Sequence, residues 1–113
     1  MARNGIMSFS SVYITATDMD EAILIGKALV ADKLAACANV FDGVRSLYRW
    51  EGEVQNDQEA VLILKTRTEL VDAVTHRVRE LHSYDVPCVV SWPIENGNSA
   101  YLNWIHVETE SAS

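Results

Sequence analysis

The chain has 113 residues, 49% of them hydrophobic, and carries a net charge of −7. This length predicts one domain, and the apolar fraction is sufficient for a core without disulfides. The acidic balance argues against DNA, RNA or an anionic membrane as the principal partner, because these partners select clustered positive charge. An N-terminus without the apolar core of a signal peptide predicts a cytoplasmic protein, and no apolar run approaches the length of a membrane span.

The first half of the chain predicts a strand, a helix and a long hairpin. Residues 1–8 are expected to be disordered. Phe9 to Thr15 has the composition of a strand. Asp18 is suited to cap the helix that follows, and Glu21 lies three residues later, as in a capping box. The helix is expected to end near residues 32–33.

The hairpin that follows is too long for a compact domain. Ala35 to Trp50 reads as one strand, and the chain returns through Glu53 to Lys65. About 14 residues at about 3.3 Å each span roughly 45 Å, whereas a compact chain of this size has a radius of gyration of only about 13 Å. We therefore expect the hairpin to bend at Asp42-Gly43, where glycine interrupts the strand pattern, and to overhang its domain. Another copy of the chain is the simplest cover for the overhang.

The second half predicts a helix with Thr68 as its cap, a loop over residues 82–87, a strand over 88–94, a helix over 99–107 and a polar tail over 108–113. Glu59 to Lys65 is the most apolar run and is the candidate for the central strand, while Pro93 places the last strand at an edge. The order strand, helix, strand, strand, helix, strand is typical of an α+β, ferredoxin-like βαββαβ fold. We expect one such domain over residues 9–107, with an additional C-terminal helix.

Cys37 and His82 are the first candidates for chemistry. The sequence has no CxxC, HExxH, GxSxG or glycine-rich phosphate motif. A thiolate and an imidazole are good ligands for copper or zinc, and Cys88 or Asp85 could complete a site if the fold brought them close. In the alternative interpretation Cys37 packs as a small hydrophobe and His82 bonds to the backbone. His82 as the base of a hydrolase lacks a partnered nucleophile.

A charged pair brackets the apolar strand. Glu59 and Lys65 lie six residues apart, so an unbroken strand directs both to one face, where they could line a cleft with Asn39, Tyr84 and Asp85. The alternative is an exposed charge at each end of the strand.

Aromatic residues form the largest constellation in the sequence. Tyr and Trp favour interfaces, because they bury a large area while keeping a polar group. We expect Tyr48 and Trp50, near the hairpin tip, to contact another subunit. For Trp104 an interface and the domain core are equal alternatives.

The assembled motifs resemble those of the CutA divalent-cation tolerance proteins, in order and over Val12 to Ile105. The segments that carry the resemblance are Lys33–Val40, Ser46–Gly52, Leu64–Thr66, His82–Pro87 and Tyr101–Ile105. The resemblance implies a ferredoxin-like protomer in a homotrimer akin to the PII signalling proteins, with clefts at the subunit boundaries. It also implies a link to tolerance of copper and other divalent metals, with no established reaction and no obligatory cofactor.

Carried over by position, Cys37 matches the cysteine of the family's AAC motif and His82 the histidine of its HPYEVP-type loop. Ser83 stands for the usual proline, Asp85 for the usual glutamate, and Cys88 where an acid is common. We therefore expect a non-enzymatic trimer that binds copper, another divalent metal or a small ligand in intersubunit clefts. The alternative is a PII-like regulator that senses an anion or metabolite, with Lys65 and Arg67 as anion ligands, and acts on a protein partner.

Overall fold

The computed structural model describes residues 7–111. In chain order the elements are β1 (Phe9–Ala16), α1 (Met19–Ala31), β2 (Cys37–Trp50), β3 (Glu53–Arg67), a short 3₁₀ turn (Thr68–Leu70), α2 (Val71–Leu81), β4 (Val89–Ile94) and α3 (Ser99–Glu108). This order confirms the predicted α+β, ferredoxin-like fold with its additional helix. Residues 1–6 and 112–113, in the predicted disordered N-terminus and polar tail, lie outside the described residues.

The four strands form one antiparallel sheet in the order β2-β3-β1-β4. The apolar run in β3 is therefore central, and Pro93 lies in an edge strand, as predicted. Helices α1 and α2 cover one face of the sheet. The fully buried residues between these helices and the sheet include Val12, Ile14, Ile25, Leu29, Leu62, Leu64, Val74 and Val78. Helix α3 packs on one end of the other face, where Ile105 meets Phe9 and Ala36. The remainder of that face is called the open face below.

Helix α1 begins as the sequence predicts. The Asp18 carboxylate accepts a hydrogen bond from the Glu21 N–H at 2.9 Å. The Glu21 carboxylate reaches back to the N–H of Thr17, one residue before the position that a capping box uses. The prediction that Thr68 caps α2 is wrong. Thr68 begins the 3₁₀ turn, and its hydroxyl shares a hydrogen bond with that of Ser10.

A one-residue bulge in β2 controls which side chains reach the open face. Phe41 pairs with Val61, and the next pair is Val44 with Glu59, so β2 has one more residue than β3 across this step. The extra residue offsets the alternation of strand side chains. The open face consequently carries the odd-numbered residues of β2 before the bulge, Cys37 to Phe41, and the even-numbered residues after it, Val44 to Trp50. Gly43 supports the bulge with a φ of 73°.

Beyond the bulge, residues 44–59 form an arm that overhangs the domain. Its tip is a two-residue turn in which Glu51 and Gly52 both have positive φ, as in the type I′ turns of tight hairpins. The described chain extends 48 Å along its longest axis and about half of that along the others, with a radius of gyration of 15.1 Å. Two apolar residues of the arm, Leu47 and Val54, are 67% and 68% exposed. The predicted overhang is thus present.

The segment after α3 is held against β3. Thr109, placed by sequence in the polar tail, is buried, and Arg67 donates to both its hydroxyl and its carbonyl oxygen. Arg67 also pairs with Glu69 at 2.9 Å. Among residues 7–111, no helix combines the length and the apolarity needed to cross a bilayer.

We predict that Gly43→Ala lowers the free energy of unfolding by about 1 kcal/mol, because an L side chain is strained at positive φ. A Cβ at Gly43 would meet nothing within 4 Å, so the loss reports backbone strain alone. Denaturant unfolding at one fixed protein concentration measures it.

Gly97→Ala is the matched control. Its φ lies outside the positive region and its Cβ would make ordinary contacts with Leu102 at 3.6 Å. We expect a change within about 0.5 kcal/mol. Equal stability of the two variants would contradict the strained bulge.

Candidate ligand cleft

A cleft of about 690 Å³ lies on the open face, between the arm and the loop that joins α2 to β4. Its floor is formed by Tyr13, Thr15 and Glu59. The arm supplies one wall: Val44, Arg45, Ser46, Leu47, Tyr48 and Trp50. The loop supplies the other: Tyr84, Asp85, Val86 and Cys88. The bulge is what directs Tyr48 and Trp50 to this side of the sheet.

Glu59 is the buried charge of the cleft. Only 7% of the residue is exposed. The Tyr84 hydroxyl donates to its Oε2 at 2.8 Å. Burial, and then the hydrogen bond to Glu59, raise the pKa of Tyr84 to about 12. Tyr84 therefore keeps its proton at neutral pH and remains a donor to the carboxylate.

His82 fixes the loop that presents Tyr84. Its side chain is fully buried. Its Nε2 lies 2.7 Å from the Thr15 carbonyl oxygen, and its Nδ1 accepts the Tyr84 N–H at 3.0 Å. This pair of bonds requires the neutral ring with its proton on Nε2. The ring also packs on that of Tyr84, with centroids 4.6 Å apart. Both nitrogens are occupied, as the interpretation of His82 as a backbone-bonded residue expects.

Glu21 ties the same loop to the start of α1. One carboxylate oxygen accepts the Thr17 N–H, and the other accepts the Ser83 N–H at 2.8 Å. Burial opposes ionisation of Glu21, but the hydrogen bonds from Thr17 and Ser83 outweigh it and lower the pKa of the carboxyl. A proline at position 83 has no N–H to donate, so this contact requires a residue other than proline there.

Cys37 lies away from this loop, at the other end of the open face. Its Sγ is 3.4 Å from the Tyr101 hydroxyl, a contact that, ahead of burial, raises the pKa of Tyr101 to about 12. Cys37 is level with Ser11, because both pair with Lys65, whereas Thr15 is level with Phe41.

These registers separate the two predicted metal ligands. Four residues along the strands and two strand spacings across them place the Cα atoms of Cys37 and Thr15 about 16 Å apart. His82 is bonded to Thr15. One protomer therefore does not bring Cys37 and His82 to one ion, whose ligands lie about 2 Å from it. Within residues 7–111 no three or more His, Cys, Asp or Glu side chains are grouped to hold a metal.

The remaining predicted residues divide between the two ends of the open face. Tyr84, Asp85 and Cys88 join Glu59 in the cleft. Burial, and then the charge of Glu59, raise the pKa of the Cys88 thiol. Asn39 and Lys65 lie nearer Cys37, where the Lys65 ammonium donates to the Asn39 side chain at 3.0 Å.

The predicted interface aromatics are also divided. Tyr48 donates to Asp57 across the arm, and Trp50 lines the cleft. Trp104 packs on Tyr101 on α3, with ring centroids 5.4 Å apart. Tyr13 and Thr15 are cleft residues that sequence reasoning missed. Their odd positions in β1, opposite in phase to the apolar Val12 and Ile14, were the available signal.

Comparison with known proteins identifies the family. Residues 10–108 match the family described as CutA1 divalent ion tolerance protein. The chain belongs to the CutA1 family. The predicted resemblance is thereby confirmed, and the family description names tolerance of divalent ions rather than a reaction.

Relatives and solved structures agree with this assignment. The divalent-cation tolerance protein CutA of Thermus thermophilus is 46% identical over 98 residues, which cover 87% of this chain and 95% of that protein. The chloroplastic protein CutA 1 of Oryza sativa is 43% identical over 101 residues, 89% of this chain. The crystal structure of rice CutA1 superposes with a TM-score of 0.89 at 41% identity, covering 93% of this chain and 96% of that one.

The chain covers only part of the length of several relatives. The chain spans 57% of the rice protein and 60% of the mouse protein CutA, to which it is 40% identical over 106 residues or 94% of its own length.

We predict that Tyr84→Phe lowers the free energy of unfolding by about 2 kcal/mol, because it removes the donor from a buried carboxylate. The folded-state pKa of Tyr84 is raised, so this stabilisation is fully present below about pH 10 and is lost as pH rises through about 12. Unfolding of both proteins across this range measures the difference.

Tyr13→Phe is the matched control in the same cleft. In the described part of the chain its hydroxyl makes no hydrogen bond, so we expect a change within about 0.5 kcal/mol. A Tyr84→Phe protein as stable as this control would show that the contact with Glu59 contributes nothing.

Proposed function

We propose that this chain is a non-enzymatic divalent-cation tolerance protein that works as a homotrimer and holds metal or a small ligand in clefts between its subunits. The observation that carries the proposal is the uncovered apolar surface of the open face and the arm. Family membership supplies the link to divalent ions. We also propose a cytoplasmic location, supported by the free thiols of Cys37 and Cys88. Relatives are named as chloroplastic or periplasmic, so the family does not fix the compartment.

The open face supports assembly because one layer of helices covers only the other side of the sheet. Phe41, Val90 and Trp92 on the open face are each about half exposed. Trp50 at the arm tip is 54% exposed. Exposed apolar side chains grouped on one face mark interaction sites on soluble proteins, and Trp and Tyr are enriched there.

The backbone of the arm supports the same proposal. In the sheet that residues 7–111 form, β2 is an edge strand along its whole length, so its outer N–H and C=O groups can pair with another chain. An arm that crosses to a neighbour would bury Trp50 and Tyr48 and pair these edges. In a closed trimer, three copies are related by rotation about one axis, so the arm of every copy contacts a neighbouring subunit.

We predict a trimer in light scattering at micromolar protein, and a Trp50→Ala variant whose melting temperature falls most at low protein concentration. The substitution acts on association, so its effect depends on concentration. Leu24→Ala is the matched control: Leu24 is likewise 54% exposed but lies on α1, away from the open face. A monomeric wild type, or a Trp50→Ala shift independent of concentration, would reject the proposed assembly.

For the metal, we propose that thiols at the subunit boundaries act as ligands. The described part of one protomer holds no group of three ligands, so donors from more than one copy are required. Cys37 is partly accessible, and its thiol suits a soft ion such as Cu(I). His82 is less suited, because binding through either nitrogen would break a hydrogen bond.

We predict that Cys37→Ser weakens Cu(I) binding by about tenfold or more, since it replaces a thiolate by a hydroxyl. Calorimetric titration of Cu(I), Cu(II) and Zn(II) into wild type, Cys37→Ser, Cys88→Ser and His82→Ala measures it, with folding of each variant checked by circular dichroism. If neither Cys37→Ser nor His82→Ala weakens binding of any of the three ions, the proposed metal residues are wrong.

The alternative, a PII-like regulator that senses an anion or metabolite, has less support from the geometry. Arg67 is held by Thr109 and Glu69, and Lys65 by Asn39. The cleft itself carries Glu59 and Asp85 against a single cation, Arg45, among its lining residues. A wild type that binds none of the three ions at micromolar concentration would favour this alternative.

A further inference from the structure

We propose that the cleft beside Glu59 binds a small organic cation, a primary amine on a short aliphatic or aromatic chain, with its ammonium group at the Glu59 carboxylate. The inference rests on the ligand cleft of the proposed function and names the chemical class of its ligand. It is argued from burial, hydrogen-bond capacity and charge at the floor of the cleft.

The first step is the unused capacity of a buried carboxylate. Glu59 is 93% buried and lines the cleft. In the described part of the chain the Tyr84 hydroxyl is its hydrogen-bond donor, through Oε2. A carboxylate has about four acceptor positions, so Oε1 can accept from a ligand. A buried charge that lacks an ionic partner is costly, and a ligand cation supplies that partner.

The second step is the balance of charge around the cleft. Asp85, on the loop wall, adds a second carboxylate, and Arg45, on the arm, is the one cation among the lining residues. Both are exposed, whereas Glu59 is not. The charge that a ligand meets at the floor is therefore negative. An ammonium group carries three donors and no acceptor, which matches this acceptor-rich site.

The third step is the apolar character of the walls. Tyr13, Tyr48, Trp50 and Tyr84 line the same cleft as the carboxylate, and Tyr84 contacts it. Aromatic faces attract ammonium groups by about 0.5–2 kcal/mol and also bury the carbon chain that carries the charge. A volume of about 690 Å³ is in the range of small-molecule sites. Ca²⁺ takes six to eight oxygen ligands, and one buried carboxylate does not provide such a shell.

The test is a ligand-observed NMR titration of pentylamine into the full chain near neutral pH, with pentanol and pentanoate as probes of equal chain length. We expect pentylamine to bind more tightly than pentanol, and pentanoate to bind least. Glu59→Gln should weaken pentylamine by about tenfold or more, because it removes the charge. The substitution leaves an oxygen to accept from Tyr84, so an unchanged melting temperature shows that the fold is kept.

Glu53→Gln is the matched control, the same chemical change in the same strand but at the arm tip and outside the cleft. It should leave pentylamine affinity unchanged. Equal binding of pentylamine and pentanol, tighter binding of pentanoate, or no effect of Glu59→Gln would each overturn the inference. Displacement of pentylamine by Zn(II) or Cu(II) in wild type but not in Glu59→Gln would assign the site to metal instead.

Light scattering on the same samples separates this inference from the function on which it rests. A trimer that binds Cu(I) but not pentylamine rejects the organic cation alone. A protein that binds pentylamine through Glu59 yet stays monomeric rejects the intersubunit cleft and retains the cation site.

Discussion

The register of β2 against β3 is the constraint on which the rest of the molecule depends. Without the extra residue at Asp42-Gly43, every side chain from Val44 to Trp50 would exchange faces. Arg45, Leu47 and Arg49 would then lie on the open face of the sheet in place of Val44, Tyr48 and Trp50. The bulge is held locally: Gly43 adopts a positive φ, and the Asp42 carboxylate accepts its N–H at 2.8 Å. The cleft wall and the exposed face of the arm are two consequences of this one inserted residue.

The opposite wall depends on buried polar contacts rather than on strand register. His82 is linked to β1 through Thr15 and to its own loop through the Tyr84 N–H, while Glu21 links the loop to α1. Each of these hydrogen bonds restricts the conformation of the loop backbone. Tyr84 therefore donates to Glu59 although it lies in a loop and not in a strand. The histidine that resembled a metal ligand in the sequence acts here as a positioning residue.

The elements and their order could be read from the sequence because their signals are local. Asp18 caps its helix through a residue three positions away, and the glycine at position 43 marks the bulge within its own strand. The separation of Cys37 from His82 could not be read in this way. It follows from the pairing of both β1 and β2 with β3, which joins residues far apart in the chain. The state of His82 was equally hidden, because its partner Thr15 lies 67 positions away.

Of the departures from the pattern that the resemblance implies, Asp85 and Cys88 line the cleft, and Ser83 precedes them in the same loop. The resemblance implies that an acid is common at the position of Cys88 and a proline usual at that of Ser83. The raised pKa of the Cys88 thiol keeps it neutral, so it does not add to the charge of Glu59. The Ser83 N–H meanwhile donates to Glu21, a residue of α1 that is not among the lining residues of the cleft. The floor retains one buried carboxylate, and a single positive charge on an apolar body neutralises it more closely than a divalent ion would.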